Sequence, residues 1–245
     1  MTNTLRLASI LGAAGAAVFA CACAGGKTAG TTAAAASGLT TVDPGPCAPS
    51  AGGFTLDIDN PYYPLPVGRA LVLKGTEDGK TARVEITVLN QTRKVTGVTT
   101  RVVREAEYEG GQRTEISRNY FVQASDGTVC YYGEEVDIYA NKQVTGHGGS
   151  WLAGAGNNKP GIIMPGKPVA NTQFVQENAP GVAGDMSAIV AVGKPVTVPA
   201  GTFADAVHAR DWNPMEGGTY ARGETKVYAR GIGLVVDEGL KLVSH

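Results

Sequence analysis

An all-β fold is what this sequence predicts, and three observations predict it. From Phe54 onward the apolar residues recur with a period of two. The connections between these runs carry Gly-Gly, Asp-Gly and Pro-Ala-Gly turn chemistry. No segment has the length and periodicity of a helix that would carry a parallel crossover. The expected architecture is an antiparallel meander of about ten strands, formed into a curled sheet, an open barrel or a sandwich, with one long Gly/Pro-rich loop.

The elements follow in order along the chain. Ala70–Gly75 is a short strand. Thr81–Asn90 places Val84, Ile86 and Val88 on one face and Arg83, Glu85 and Thr87 on the other, the alternation of a half-buried strand. Runs at Val98–Tyr108, Arg113–Gln123, Thr128–Glu134 and Val136–Lys142 continue it. Glu109-Gly110-Gly111-Gln112 and Ser125-Asp126-Gly127 are hairpin signals. The segment Gln143–Asn171 changes character: it is rich in Gly and Pro, yet holds Trp151 and the apolar run Ile162–Met164. Such a loop is expected to pack over one side of the sheet. Strands resume at Gln173–Glu177, Met186–Val192, Val196–Val198, Ala206–Asn213, Glu224–Arg230 and Gly233–Asp237, with a tight turn at Pro199–Thr202.

Ahead of this domain lie two segments of different composition. Residues 1–20 combine a short polar start carrying Arg6 with the small-apolar run Leu7–Phe19, the pattern of an export signal and too short to span a bilayer. Val18-Phe19-Ala20-Cys21 has the form of a lipobox, in which cleavage before Cys21 leaves a cysteine that carries lipid. Ala20-Cys21-Ala22 and Ala22-Cys23-Ala24 offer the alternative of ordinary secretion. Residues 21–53 are almost wholly Ala, Gly, Thr, Ser and Pro, the composition of a flexible tether. The organisation expected is therefore a signal over 1–20, a tether over 21–53 and a single β-rich domain over 54–245. The protein is expected to be exported and lipid-anchored in the bacterial cell envelope, or secreted if the lipobox is not used. Its membrane partner would be reached through that anchor.

Charge excludes some function classes. The chain has 245 residues, a formal net charge of −1 and 18% charged residues. That balance leaves no electrostatic footprint for nucleic acid. Of four cysteines, Cys47 and Cys130 lie beyond the signal region. In an oxidising compartment they are candidates for one disulfide, with two unrelated thiols as the alternative.

The opening Asp57-Ile-Asp-Asn-Pro-Tyr-Tyr-Pro-Leu-Pro-Val-Gly68 resembles the start of an uncharacterised family of bacterial exported proteins that begin DNPYFPLxPG. Tyr131–Glu134, Gly149–Trp151, Lys159–Ile162 and Gln176-Glu177 add to the likeness. So does Val196–Phe203 (VTVPAGTF) followed by Tyr228–Val235 (YARGIGLV). The resemblance spans about residues 54–240, and Cys130 departs from it, standing where an aromatic is usual. It implies an envelope protein with a β-domain and no assigned activity.

No catalytic constellation is legible. His147, His208 and His245 lack a carboxylate at interpretable spacing, and there is neither a Gly-x-Ser-x-Gly elbow nor an HExxH motif. Two binding sites are candidates. Asp57, Asp59, Glu134 and Asp137 are hard oxygen ligands that would suit calcium, the one cofactor the sequence suggests, and strand-end charges with Asx turns are the alternative. Tyr62, Tyr63, Tyr131, Trp151 and Trp212 are candidates for a ligand groove, with aromatic pairs of the core as the alternative. The expected function is a non-catalytic envelope lipoprotein whose β-domain binds a ligand or partner or scaffolds the surface. The alternatives are a hydrolase of envelope polymers using clustered carboxylates, and a carrier of a lipid or other hydrophobic ligand.

Overall fold

The computed structural model describes residues 38–77 and 79–245. The export signal expected over 1–20, the lipidation site Cys21 and the first part of the tether lie outside the described residues.

The fold is all-β, one large sheet that curls without closing into a barrel. Its strands are β1 (Thr40–Thr41), β2 (Ala70–Glu77), β3 (Lys80–Val95), β4 (Val98–Glu109), β5 (Gln112–Gln123), β6 (Val129–Ala140), β7 (Gln143–Gly146), β8 (Trp151–Leu152), β9 (Gly161–Met164), β10 (Thr172–Val175), β11 (Met186–Val198), β12 (Gly201–Trp212), β13 (Glu224–Ala229), β14 (Gly233–Asp237) and β15 (Leu240–Ser244). Two meanders, β2 to β7 and β10 to β15, join edge to edge where β15 pairs antiparallel with β2. Among the described residues only β1, parallel to β10, breaks the antiparallel pattern.

Local sequence explains the pairing. On β3 the buried set is Ala82, Val84, Ile86 and Val88, one parity of the strand. Gly110 and Gly111 take φ of 55° and 78°, the left-handed pair that a two-residue hairpin between β4 and β5 requires. Register slips interrupt β3/β4, β5/β6 and β11/β12, and such bulges bend and twist the strands that carry them. One slip sits at Lys194/Val196, which is how Pro195 is accommodated inside β11. The two strands expected at 186–192 and 196–198 are consequently one. The runs at 128–134 and 136–142 also merge into β6, because Glu135 sits on the outer face, paired with Arg93 at 2.6 Å and accepting from Tyr120 Oη. β15 was not anticipated.

The segment 143–171 does not lie over the sheet as a loop. It pairs in plane along one edge of β6: β9 against Val129–Tyr131, β8 against Gly133–Glu134, and β7 against Ile138–Ala140. Trp151 is only 3% exposed.

The tether boundary at Phe54 needs correction. β1 hydrogen-bonds to β10, and two 3-10 turns, Gly45–Cys47 and Pro49–Ala51, follow it. Cys47 and Cys130 form a disulfide, both fully buried, and Tyr132 Oη donates to the Cys47 carbonyl at 2.8 Å. Among the described residues, chain fixed to the domain therefore begins at β1. Composition could not reveal this, because small polar residues become ordered here through one covalent bond rather than through burial of apolar surface.

Candidate functional site

Register dictates what faces the interior. Directly paired residues on neighbouring strands share a face. Leu71, Ile86, Glu105, Ser117 and Val136 form one such row across β2 to β6. Leu73, Val84, Glu107, Glu115 and Ile138 form the next. On the other meander Ala209, Lys226 and Asp237 make a row beside Ser187, Asp211 and Glu224. Carboxyl groups thus enter a buried interior because their strand parity leaves them no alternative.

Lys226 is their central cation, 3.2 Å from Asp237 and 3.8 Å from Asp211. Burial alone would lower the Lys226 pKa, but the two carboxylates outweigh it and hold the ammonium charged. Burial pushes Asp211 and Asp237 upward although they share that ion pair. The 3.2 Å contact favours an ionised Asp237.

Between the meanders lies a cleft. Its walls are Leu65, Leu71, Ile86, Val88, Ile232 and Leu234; Tyr63, Tyr228 and Glu105 also line it, as does Arg69. It encloses about 440 Å³, counting the part open to solvent. Arg69 Nη1 is fixed by the carbonyls of Gly231 and Ile232 at 2.8 and 2.7 Å. Glu105 is 2% exposed. Burial pushes its carboxyl up to about 8, against the pull of Lys226, with Asp237 and Glu115 adding to the rise. At neutral pH it is a protonated acid, able to donate a hydrogen bond.

Two sequence motifs far apart in the chain meet at this cleft. The Asp57–Gly68 segment supplies Tyr63, Pro64 and Leu65, and Tyr228–Val235 supplies Tyr228, Ile232, Gly233 and Leu234. They are locked together beside it. Gly231 N–H donates to the Pro61 carbonyl at 2.7 Å, Tyr62 Oη donates to Asp205 at 2.9 Å, and Arg230 bonds both Asp205 and Tyr62. Sequence reasoning singled out both motifs but missed Glu105.

The expected sites are otherwise not assembled. Of the groove aromatics, Tyr63, Tyr131 and Trp151 belong to a buried ladder, with Phe121 5.6 Å from Tyr63 and 4.8 Å from Tyr131, and Tyr131 5.3 Å from Trp151. Tyr62 is in the Asp205–Arg230 clamp, and Trp212 packs on Tyr220 elsewhere. Only Tyr63 reaches the cleft. The calcium set is dispersed too. Asp57 is exposed, and Asp59 accepts from Gln123. Asp137 pairs with Arg118 and His147. Glu134 is buried beside Glu177. Among the described residues no three His, Cys, Asp or Glu side chains are placed to hold a metal. The segment 52–69 is coil rather than the strand on which Asp57 and Asp59 would share a face, because Asn60 turns the chain there.

Glu134 and Glu177 are the second perturbed group. Both are fully enclosed next to Tyr131 and Trp151, and burial pushes both far above the carboxylate range. Trp151 Nε1 donates to Glu177 at 3.4 Å. No solvent reaches the pair, so it presents no surface to a substrate.

Comparison with protein-family models, with curated proteins and with solved structures found no match for this chain.

Proposed function

We propose that this protein is a non-catalytic β-domain of the cell envelope, held to a membrane through lipid on Cys21, that binds a small apolar ligand or an apolar group of a partner. The cleft between Leu71, Ile86, Val88 and Leu234 carries this reading: apolar walls close around a few convergent polar groups, the common composition of a binding site. The buried Cys47–Cys130 disulfide supports an oxidising, exported location. The signal-like residues 1–20 support it independently.

Size favours a small occupant. Only about 20 Å³ of the cleft has room for a water-sized sphere, so even a slender occupant must open it somewhat, and a whole lipid would have to open it much further. A hydrolase reading is the weaker, since the paired carboxyls Glu134 and Glu177 are sealed behind Trp151.

The test is methyl NMR of the whole chain titrated with n-hexane, 2-hexanone and n-hexylamine. The reading expects shifts confined to Leu71, Ile86, Val88 and Leu234 for at least one of the three, lost in Leu71→Trp. Shifts from none of them would end it.

A further inference from the structure

Resting on that reading, we infer that the cleft selects an uncharged, slender apolar molecule that carries one hydrogen-bond acceptor, a carbonyl oxygen, and that the Glu105 carboxyl donates to it. The walls offer only hydrocarbon on six side chains. A ligand bearing a full charge would give up its hydration among these side chains, and the cation that lines the cleft, Arg69, is already bound to the Gly231 and Ile232 carbonyls. An ammonium would also feel the charge of Lys226, and a carboxylate that of Asp237; neither lines the cleft, but both act on Glu105. An uncharged oxygen avoids both penalties. It needs a donor at the floor, and Glu105 supplies one in its protonated state.

The charged and titratable groups around Glu105 come from several elements, and Glu224 titrates inside the pH range of the test. On β13, Lys226 is held protonated and burial lifts Tyr228 well above the usual phenol range. Tyr63, from the segment before β2, is lifted in the same way. Asp237 on β14 and Glu115 on β5 both act to raise Glu105. Arg69 at the cleft loses some basicity through burial. Glu224 titrates at about 7, raised first by burial, and pairs in register with Asp211 rather than lining the cleft. Its Glu224→Gln variant serves as a control.

The sign follows from which form donates. Only protonated Glu105 does, so affinity for the carbonyl ligand is full below about pH 8 and falls roughly tenfold per unit above it. The experiment measures dissociation constants of 2-hexanone, n-hexane and n-hexylamine on the whole chain from pH 6 to pH 9.5. 2-Hexanone should bind tightest at pH 7 and weaken about 30-fold by pH 9.5, given a Glu105 pKa of about 8. n-Hexane should be weaker and flat with pH. Glu105→Gln, whose amide still donates, should keep 2-hexanone binding and lose its pH dependence, while Glu224→Gln should leave it unchanged. Equal affinity for the ketone and the alkane, a flat ketone profile, or tightest binding by the amine would overturn the inference and leave the binding reading standing. Binding of none of the three would remove the reading beneath it. If Glu105→Gln does not fold, the ketone-to-alkane ratio and its pH profile in the natural chain still decide.

Discussion

Gln123 Oε1 accepts the backbone N–H of Asn60 at 2.9 Å and that of Asp59 at 3.1 Å, while its amide nitrogen donates back to Asp59 at 2.6 Å. The last residue of β5 thus holds the turn that precedes the cleft. Asn60 completes the clasp. Its Oδ1 accepts from the N–H groups of Tyr62 and Tyr63, and its Nδ2 donates to the carbonyls of Gly127 and Pro165. Three loops are tied by one buried side chain.

Asn60→Ala should cost on the order of 2–4 kcal/mol, since several buried backbone groups lose their partners together. Asn60→Asp should cost at least as much, because a carboxylate cannot donate to the Gly127 and Pro165 carbonyls and would face them with lone pairs. Denaturant unfolding of both variants checks this. An Asp variant within about 0.5 kcal/mol of the natural chain would remove the donor half of the clasp.

The strands were legible where one parity was apolar, as at Val84, Ile86 and Val88. The clasp was half legible, since Asn60-Pro61 announces an Asx turn, but nothing local names Gly127 or Pro165 as acceptors. Glu105 was not legible as a site residue, yet a signal existed. β4 carries charge on both parities, Arg104 on one and Glu105 with Glu107 on the other, so one charged set had to turn inward. Which one depends on pairing with Ile86 and Val84, a relation between strands that no single strand contains. β15 escaped because its alternation, Leu240 and Leu242 about Lys241, is only five residues long.

Loss of the Cys47–Cys130 bond should destabilise the domain by roughly 4–5 kcal/mol, the chain-entropy value for so long a loop. Cys47→Ala/Cys130→Ala, compared with the natural chain by thermal and denaturant unfolding, measures it. The same variant should make residues 40–51 the first site of limited proteolysis, since β1 retains only a two-residue pairing with β10. Unchanged protection of that segment would show that pairing, not the disulfide, secures it.

Trp151 closes the aromatic ladder and covers Glu177. Trp151→Ala should cost on the order of 3–5 kcal/mol, the range for emptying a buried aromatic site. Trp151→Phe should cost less, about 1–2 kcal/mol, and should act through Glu177: the lost indole N–H lowers that carboxyl's pKa in the natural chain, so its removal raises it further. Urea unfolding of the two variants gives the order. A loss below about 1 kcal/mol for Trp151→Ala would place Trp151 outside the core.

The buried acids fix how stability responds to pH. Burial raises Glu105 to about 8 and Glu224 to about 7, and lifts Glu134 and Glu177 in the same direction. In the unfolded chain each returns to its ordinary value near 4.3. Between those values the native state binds more protons than the unfolded one, so stability falls as pH rises. The decline should begin at about pH 4.5 and continue to at least about pH 8, where Glu105 titrates, with a slope of up to ~1.4 kcal/mol per unit for each group titrating in isolation. Lys226 acts in the opposite sense to a depressed acid: its raised pKa contributes stability that is present below its unfolded value near 10.4, outside this window. Asp205, held low by its hydrogen bond to Arg230, contributes only above its unfolded value near 3.9 and lies at the surface, where screening leaves it little. Glu105→Gln removes one titration without changing the shape of the side chain. It should flatten the profile between pH 5 and pH 8 and be more stable than the natural chain at pH 8, because no buried carboxyl is then driven to ionise there. Unfolding free energies at half-unit pH steps test this, and a natural-chain profile that climbs from pH 5 to pH 8 would mean that these carboxyls are ionised and paired in the native state.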